Sequence, residues 1–136
     1  MIYLAGYSGR KPDELKRVAE SADLHIIDIR MNQRSRVPHW NVRELKALIG
    51  ARYHWCGALG NVNYQGGEIQ IFDSGEGMDY VEAVMELHSE DVLLLCACEE
   101  RNSCHRTVVG KMLFERGHEV QELDWASALT APQLNN

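Results

Sequence analysis

The sequence predicts an α/β domain, with a mostly parallel central sheet of about five strands and helices on both faces, a three-layer arrangement. Two observations carry this expectation. Five short apolar segments alternate with four segments of helical periodicity, the order that builds parallel sheets. A chain of 136 residues, 45% hydrophobic and 25% charged, also has the size and composition of one ordinary core.

Residues 1–6, MIYLAG, read as the first strand. KPDELKRVAESA (11–22) is the first helix, with Pro12 in its first turn and Asp13 and Glu14 at the positive end of its dipole. LHIIDIR (24–30) is the second strand. NVRELKALIG (41–50) is a helix with Asn41 as its cap and Gly50 as its stop, and RYHWC (52–56) is the third strand. The glycine-rich stretch 57–77 has only a brief apolar patch at Ile69 to Phe72, and a loop of that length is usually functional or mobile. MDYVEAVMELH (78–88) resumes a helix, and DVLLLCAC (91–98) is a buried strand. HRTVVGKMLFERG (105–117) is a helix stopped by Gly117, and HEVQEL (118–123) is the last strand. One domain over 1–124 is expected, followed by a frayed tail over 125–136.

Composition excludes several classes of function. A net charge of −6 argues against indiscriminate nucleic-acid binding driven by the whole-protein field, though a local basic site is compatible with it. The longest aliphatic run, Val92 to Leu95, is far too short for a bilayer, and the opening MIYLAGYSGR lacks a signal-peptide pattern, so a cytoplasmic location and no membrane partner are expected. Three of the four cysteines crowd into nine positions, which in such a chain reads as reduced thiols rather than disulfides. Ten of the fourteen basic residues are arginine, whose planar fork matches phosphate and carboxylate.

Ligands of parallel sheets bind beyond the carboxyl ends of the strands, and there the unusual residues collect. Gly6, Tyr7, Ser8 and Arg10 follow the first strand, Asp28 and Arg30 end the second, and Cys98 to Arg106 follow the fourth. The stretches IYLAGYSGRKPDEL, IIDIR with RSRVP, and LLLCACEERNSCHR ahead of LFERGHEV resemble, in order and spacing, the family called domain of unknown function 488. Tyr7 stands where histidine is common in that family. The resemblance implies a Rossmann-like α/β fold and a polar pocket lined by Gly6, Ser8, Arg10, Asp28, Arg30, Ser35, Arg36, Pro38, Cys104, His105 and Arg106; it implies no reaction. IIDIR also resembles a rhodanese strand. Rhodanese and tyrosine-phosphatase loops, however, place arginine six residues after the nucleophilic cysteine, and the residue six after Cys98 is Cys104.

A helix beginning near Asn102 or Ser103 would set Cys104, His105 and Arg106 in its first turn, where orphan amides and the dipole attract anions and lower a thiol's pKa. The functional reading is an anion site clamped by Arg30 and Arg106, with Gly6, Ser8, Arg10, Arg34 and Arg36 as further ligand contacts. Asp28, Cys104 and His105 are its candidate catalytic groups. The alternatives are that Cys104 packs as a small hydrophobe and that Asp28 only holds Arg30. Cys96 and Cys98, two apart, share a strand face and could join Cys104 and His105 on zinc, but they lack the paired turns of a structural zinc site, so no metal and no cofactor are expected. MNQRSRVPHW combines arginines with Trp40, which makes a nucleotide or an exposed nucleic-acid end a better ligand than a simple acid. His39 and His54 show no partner in the sequence. Two classes of function stay open: an enzyme acting on a phosphorylated or nucleotide-like substrate, for which the family resemblance implies a setting in nucleic-acid repair or modification, and a non-catalytic module that binds such a ligand or a partner protein; a rhodanese-like thiol enzyme ranks below both.

Overall fold

The computed structural model describes residues 1–98 and 104–130. Its sheet has five parallel strands, β1 (Ile2–Gly6), β2 (His25–Asp28), β3 (Tyr53–Trp55), β4 (Val92–Cys96) and β5 (Val120–Glu122), in the order β3-β2-β4-β1-β5. β1 and β4 pair over their full length, Ile2 with Val92 through Gly6 with Cys96, while β2 flanks β4 with His25 opposite Val92. These three strands therefore end together.

Alternation along the strands divides the core into two layers. Ala5, Ile26, Tyr53, Leu93 and Leu95 face α1 (Pro12–Ser21) and α2 (Val42–Ile49), whose Leu15, Val18, Val42 and Leu45 are buried against them. Leu4, Ile27, Leu94 and Cys96 face α3 (Ser74–His88) and α4 (His105–Glu115), which contribute Val81, Val84, Val109 and Leu113. β4 is buried along its whole length, as a central strand covered on both faces must be.

The structure departs from the sequence reading most at the tail, at the start of α3, in the 57–77 loop and at the α2 cap. The chain from Trp125 to Thr130 is not frayed but forms α5, with Trp125 buried in the α1 layer and the Arg17 guanidinium donating to the Leu129 carbonyl at 3.1 Å. Helix α3 starts at Ser74, four residues before the expected Met78. Asp73 caps it by accepting from the Glu76 amide, and one of the two glycines that disguise this first turn has a packing reason: a Cβ on Gly77 would stand 2.4 Å from the Leu59 side chain. Within 57–77 the chain also makes a 3₁₀ turn at Gly57–Leu59 and a bridge between Asn61 and Ile71, so this loop is partly structured. Asn41 does precede α2, but its side chain accepts from the Ser35 amide at 2.7 Å and pins the preceding loop rather than capping the helix.

Among the described residues no helix is long and apolar enough to cross a membrane.

Candidate functional site

Because β1, β4 and β2 are neighbours, their carboxyl ends bring the sequence motifs to one rim. The Tyr7 and Ser8 amides donate to the Cys96 and Ala97 carbonyls at 3.0 Å each, which ties the first motif to the cysteine strand. His105, at the start of α4, places Nε2 2.7 Å from the Ile29 carbonyl and ties that helix to the end of β2. Cys104 is the N-cap residue of α4; Asn102 and Ser103, the expected caps, and Arg101 lie outside the described residues.

Two arginines of this rim are committed inside the protein. Arg30 grips Asp28 through Nε (2.9 Å to Oδ1) and Nη2 (2.6 Å to Oδ2), and its Nη1 donates to the Tyr7 hydroxyl at 2.9 Å. The Tyr53 hydroxyl donates to the same carboxylate. Asp28 has no exposed surface and Arg30 only 7%. Burial works against the Arg30 charge, but the hydrogen bonds and charge of Asp28 more than offset it and hold the guanidinium protonated. Burial, followed by the Asp28 charge and the bond to it, pushes the Tyr53 hydroxyl well above its ordinary range, so Tyr53 serves here as a donor. Arg106, 1% exposed, forks onto Glu122 of β5 (Nη2–Oε1 2.6 Å, Nε–Oε1 2.9 Å) and sends Nη1 to the Cys98 carbonyl at 2.7 Å and to Cys96 Sγ at 3.2 Å.

The remaining ligand candidates divide. Arg10 lies 3.7 Å from Glu14 and over the Trp125 ring at 5.0 Å. Gly6 carries the crossing of the Cys98 backbone, and Ser8 is exposed. Arg34 and Arg36 are exposed, and neither side chain has a hydrogen bond or ion pair among the described residues. Their loop is nonetheless held: the Val42 amide donates to the Gln33 carbonyl at 2.9 Å, and Trp40 stacks on Tyr7 with ring centres 4.1 Å apart. Trp40 is thus buried as the loop's anchor, and the rings facing outward are others. An open groove of about 470 Å³ is lined by Met31, Asn32, Gln33, Arg34, Trp55 and Tyr64. Trp55 donates its indole N–H to the Arg30 carbonyl at 2.9 Å, which fixes its plane, while Tyr64 is 54% exposed. No sequence pattern had marked Trp55 or Tyr64; a strand-end tryptophan beside a glycine-rich loop was the available signal.

Cys96 and Cys98 do share one face, and with Cys104 they bring three sulfurs within 4.8 Å of one another. Cys96 and Cys104 are in contact at 2.8 Å, and His105 Nδ1 lies 3.9 Å from Cys104 Sγ. Hydrogen bonds from Cys96 and then Cys98 hold the Cys104 thiol well below its ordinary pKa, against the opposing effect of burial. Burial and the bond to Cys104 raise Cys96, and the bond to Cys104 raises Cys98. One thiolate shared by two thiol donors is the arrangement from which a disulfide forms most readily. Treatment with diamide is therefore expected to remove two hydrogens by linking Cys104 to Cys96 or Cys98, while buried Cys56 stays reduced. Its rate should fall less steeply from pH 8 to pH 6 than the roughly ten-fold per pH unit of an ordinary thiol, because the pKa of the attacking group is lowered. Peptide mass mapping after quenching reads both results, and modification of Cys56 at an equal rate would refute the assignment.

This is the geometry of a three-layer α/β domain with a polar rim of arginines and thiols at the strand carboxyl ends. The family model described as domain of unknown function DUF488 matches residues 14–113, most of the chain, and the chain belongs to that family. The match takes in Asp28, Arg30, Arg36 and Cys104 to Arg106 and begins after the Gly6 to Arg10 turn. No curated protein and no solved structure matches the chain.

Proposed function

We propose that this protein binds an anionic, ring-bearing ligand of the nucleotide class, either a mononucleotide or an exposed nucleic-acid end, at the rim groove. The observation that carries the reading is the union, in one groove, of Arg34, which has no side-chain partner among the described residues, with the fixed Trp55 ring and the exposed Tyr64 ring. An unpaired guanidinium suits a phosphate, aromatic faces suit a base, and Asn32 and Gln33 add amides for its edge. Arg36 is a second cation for a longer anion. Arg30 and Arg106 support the site by holding the strand ends, each spending its charge on an internal acid. Thermal-shift and titration measurements with nucleotides, inorganic phosphate and short single strands test it. Arg34→Ala should weaken nucleotide binding about ten-fold without lowering the melting temperature of the free protein. Binding unchanged in both Arg34→Ala and Trp55→Ala would remove the proposal.

A second reading, thiol catalysis at Cys104, is favoured by its lowered pKa beside His105, with Arg106 behind it. Asp28 has no free valence for a general base in this arrangement, being engaged by Arg30 and Tyr53. If the rim is one site, a bound nucleotide should protect Cys98 and Cys104 from iodoacetamide; protection absent at saturating ligand separates the thiols from the groove.

A further inference from the structure

A second cluster of chemically capable side chains lies near the opposite ends of the strands. His25 opens β2 and is 5% exposed. It lies two residues from Ile27 and so faces the α3 layer, as does His54, which pairs in register with Ile27 on β3. His88, the last residue of α3, closes over them. His25 Nδ1 and His54 Nε2 are 2.9 Å apart, the His25 and His88 rings stack at 3.8 Å, and a ligating nitrogen from each of the three lies within 4.8 Å of the others.

We propose that His25, His54 and His88 form a three-imidazole site for a first-row divalent transition metal, zinc foremost. Three imidazoles from three separate elements have no helical or turn spacing to explain their meeting, and three like groups facing inward gain only one hydrogen bond among themselves. Tetrahedral zinc takes its imidazole nitrogens at about 2.0–2.1 Å, so neighbouring nitrogens stand roughly 3.4 Å apart; small side-chain rotations bring the three to that spacing. Coordination through His25 Nδ1 and His54 Nε2 replaces the hydrogen bond between them: the donating ring moves its proton to its other nitrogen, the accepting ring already carries its proton there, and none is released. Three protein ligands leave a fourth position open, and His54 and His88, both half-buried, leave an entrance to it. The charge nearby permits a cation. Arg52 is the positive neighbour, and it is engaged by Glu90 at 2.8 Å and Asp23 at 3.4 Å, one positive charge against two negative. Imidazole donors select zinc, copper, nickel or cobalt over the hard cations that prefer oxygen.

The thiol cluster on the rim is the competing metal site within the same chain, so the test must separate them. The full-length protein, stripped with chelator and dialysed, is titrated with Co²⁺ and then Zn²⁺ while absorption and melting temperature are followed. The expected result is a component with weak visible cobalt bands and no intense near-ultraviolet thiolate band, displaced by zinc, which raises the melting temperature. His54→Ala and His88→Gln, both at half-exposed positions, should each weaken that component at least ten-fold, while Cys98→Ser leaves it in place. Two results overturn the proposal: no metal bound by the folded protein, or binding that carries only the thiolate signature and survives both histidine substitutions.

Discussion

Replacing Asp28 with alanine is expected to cost about 3–5 kcal/mol of folding stability, the range for breaking a buried ion pair by removing one partner. Asp28 is fully buried and is the acceptor for the Arg30 guanidinium, the Arg30 amide at 3.1 Å and the Tyr53 hydroxyl. Without it, the Arg30 charge stays inside with no acid beside it, only the neutral hydroxyls of Tyr7 and Tyr53, and the buried Tyr53 hydroxyl loses its carboxylate acceptor. Asp28→Asn keeps an acceptor and the shape but loses the charge, and should fall between the two. Removing both charges, as Asp28→Leu with Arg30→Met, should cost less than Asp28→Ala alone, because no uncompensated ion is left behind. Urea unfolding of the four proteins decides the matter. A loss below about 1 kcal/mol for Asp28→Ala, with ligand binding abolished, would instead make Asp28 a functional group.

The limits of the sequence reading follow from the same residues. The spacing of Asp28 and Arg30, two apart on a strand, shows that they share a face, but the third member, Tyr53, enters only through the register that sets it opposite Ile26. Glu122 is equally hidden. It reaches Arg106 because β5 docks beside β1, and strand order is a property of the folded sheet that alternating segments do not encode. This is why arginines that looked available as clamps are internal partners, while Arg34 and Arg36, in a loop without periodicity, keep their charges outward. The parallel sheet was legible because apolar runs separated by helices have few other solutions. Helix α5 was not, since six residues anchored by one tryptophan give no periodic signal. The three histidines are 29 and 34 positions apart in the chain, each lone by any local pattern, and only pairing of β2 with β3 under α3 assembles them.

Gly6→Ala should be the most damaging single methyl group in the protein, lowering stability by about 3 kcal/mol or more, at or beyond the upper end for overpacking. The reason is not backbone conformation but a crossing of chains. A Cβ on Gly6 would lie 1.5 Å from the Cys98 carbonyl oxygen, 2.6 Å from its carbon and 2.8 Å from Arg106 Nη1. Two of those three atoms are backbone and cannot rotate away, and the third is fixed by its own bond to the same carbonyl at 2.7 Å. Relief requires the Cys98 segment to lift, which breaks that bond, pulls Arg106 from Cys96 at 3.2 Å and opens the thiol cluster. The glycine that family resemblance marks as a ligand contact therefore has a mechanical role, as the gap through which β4 hands the chain on toward α4. Gly9→Ala is the control: its Cβ meets nothing within 4 Å, and only its positive φ of 79° opposes the change, at a cost of roughly 1 kcal/mol. Chemical unfolding of both variants, together with the rate of diamide cross-linking between Cys104 and its neighbours, distinguishes a local lift from global loss. A Gly6→Ala protein as stable as the parent and cross-linked at the same rate would mean that Cys98 does not pass over β1 in this way.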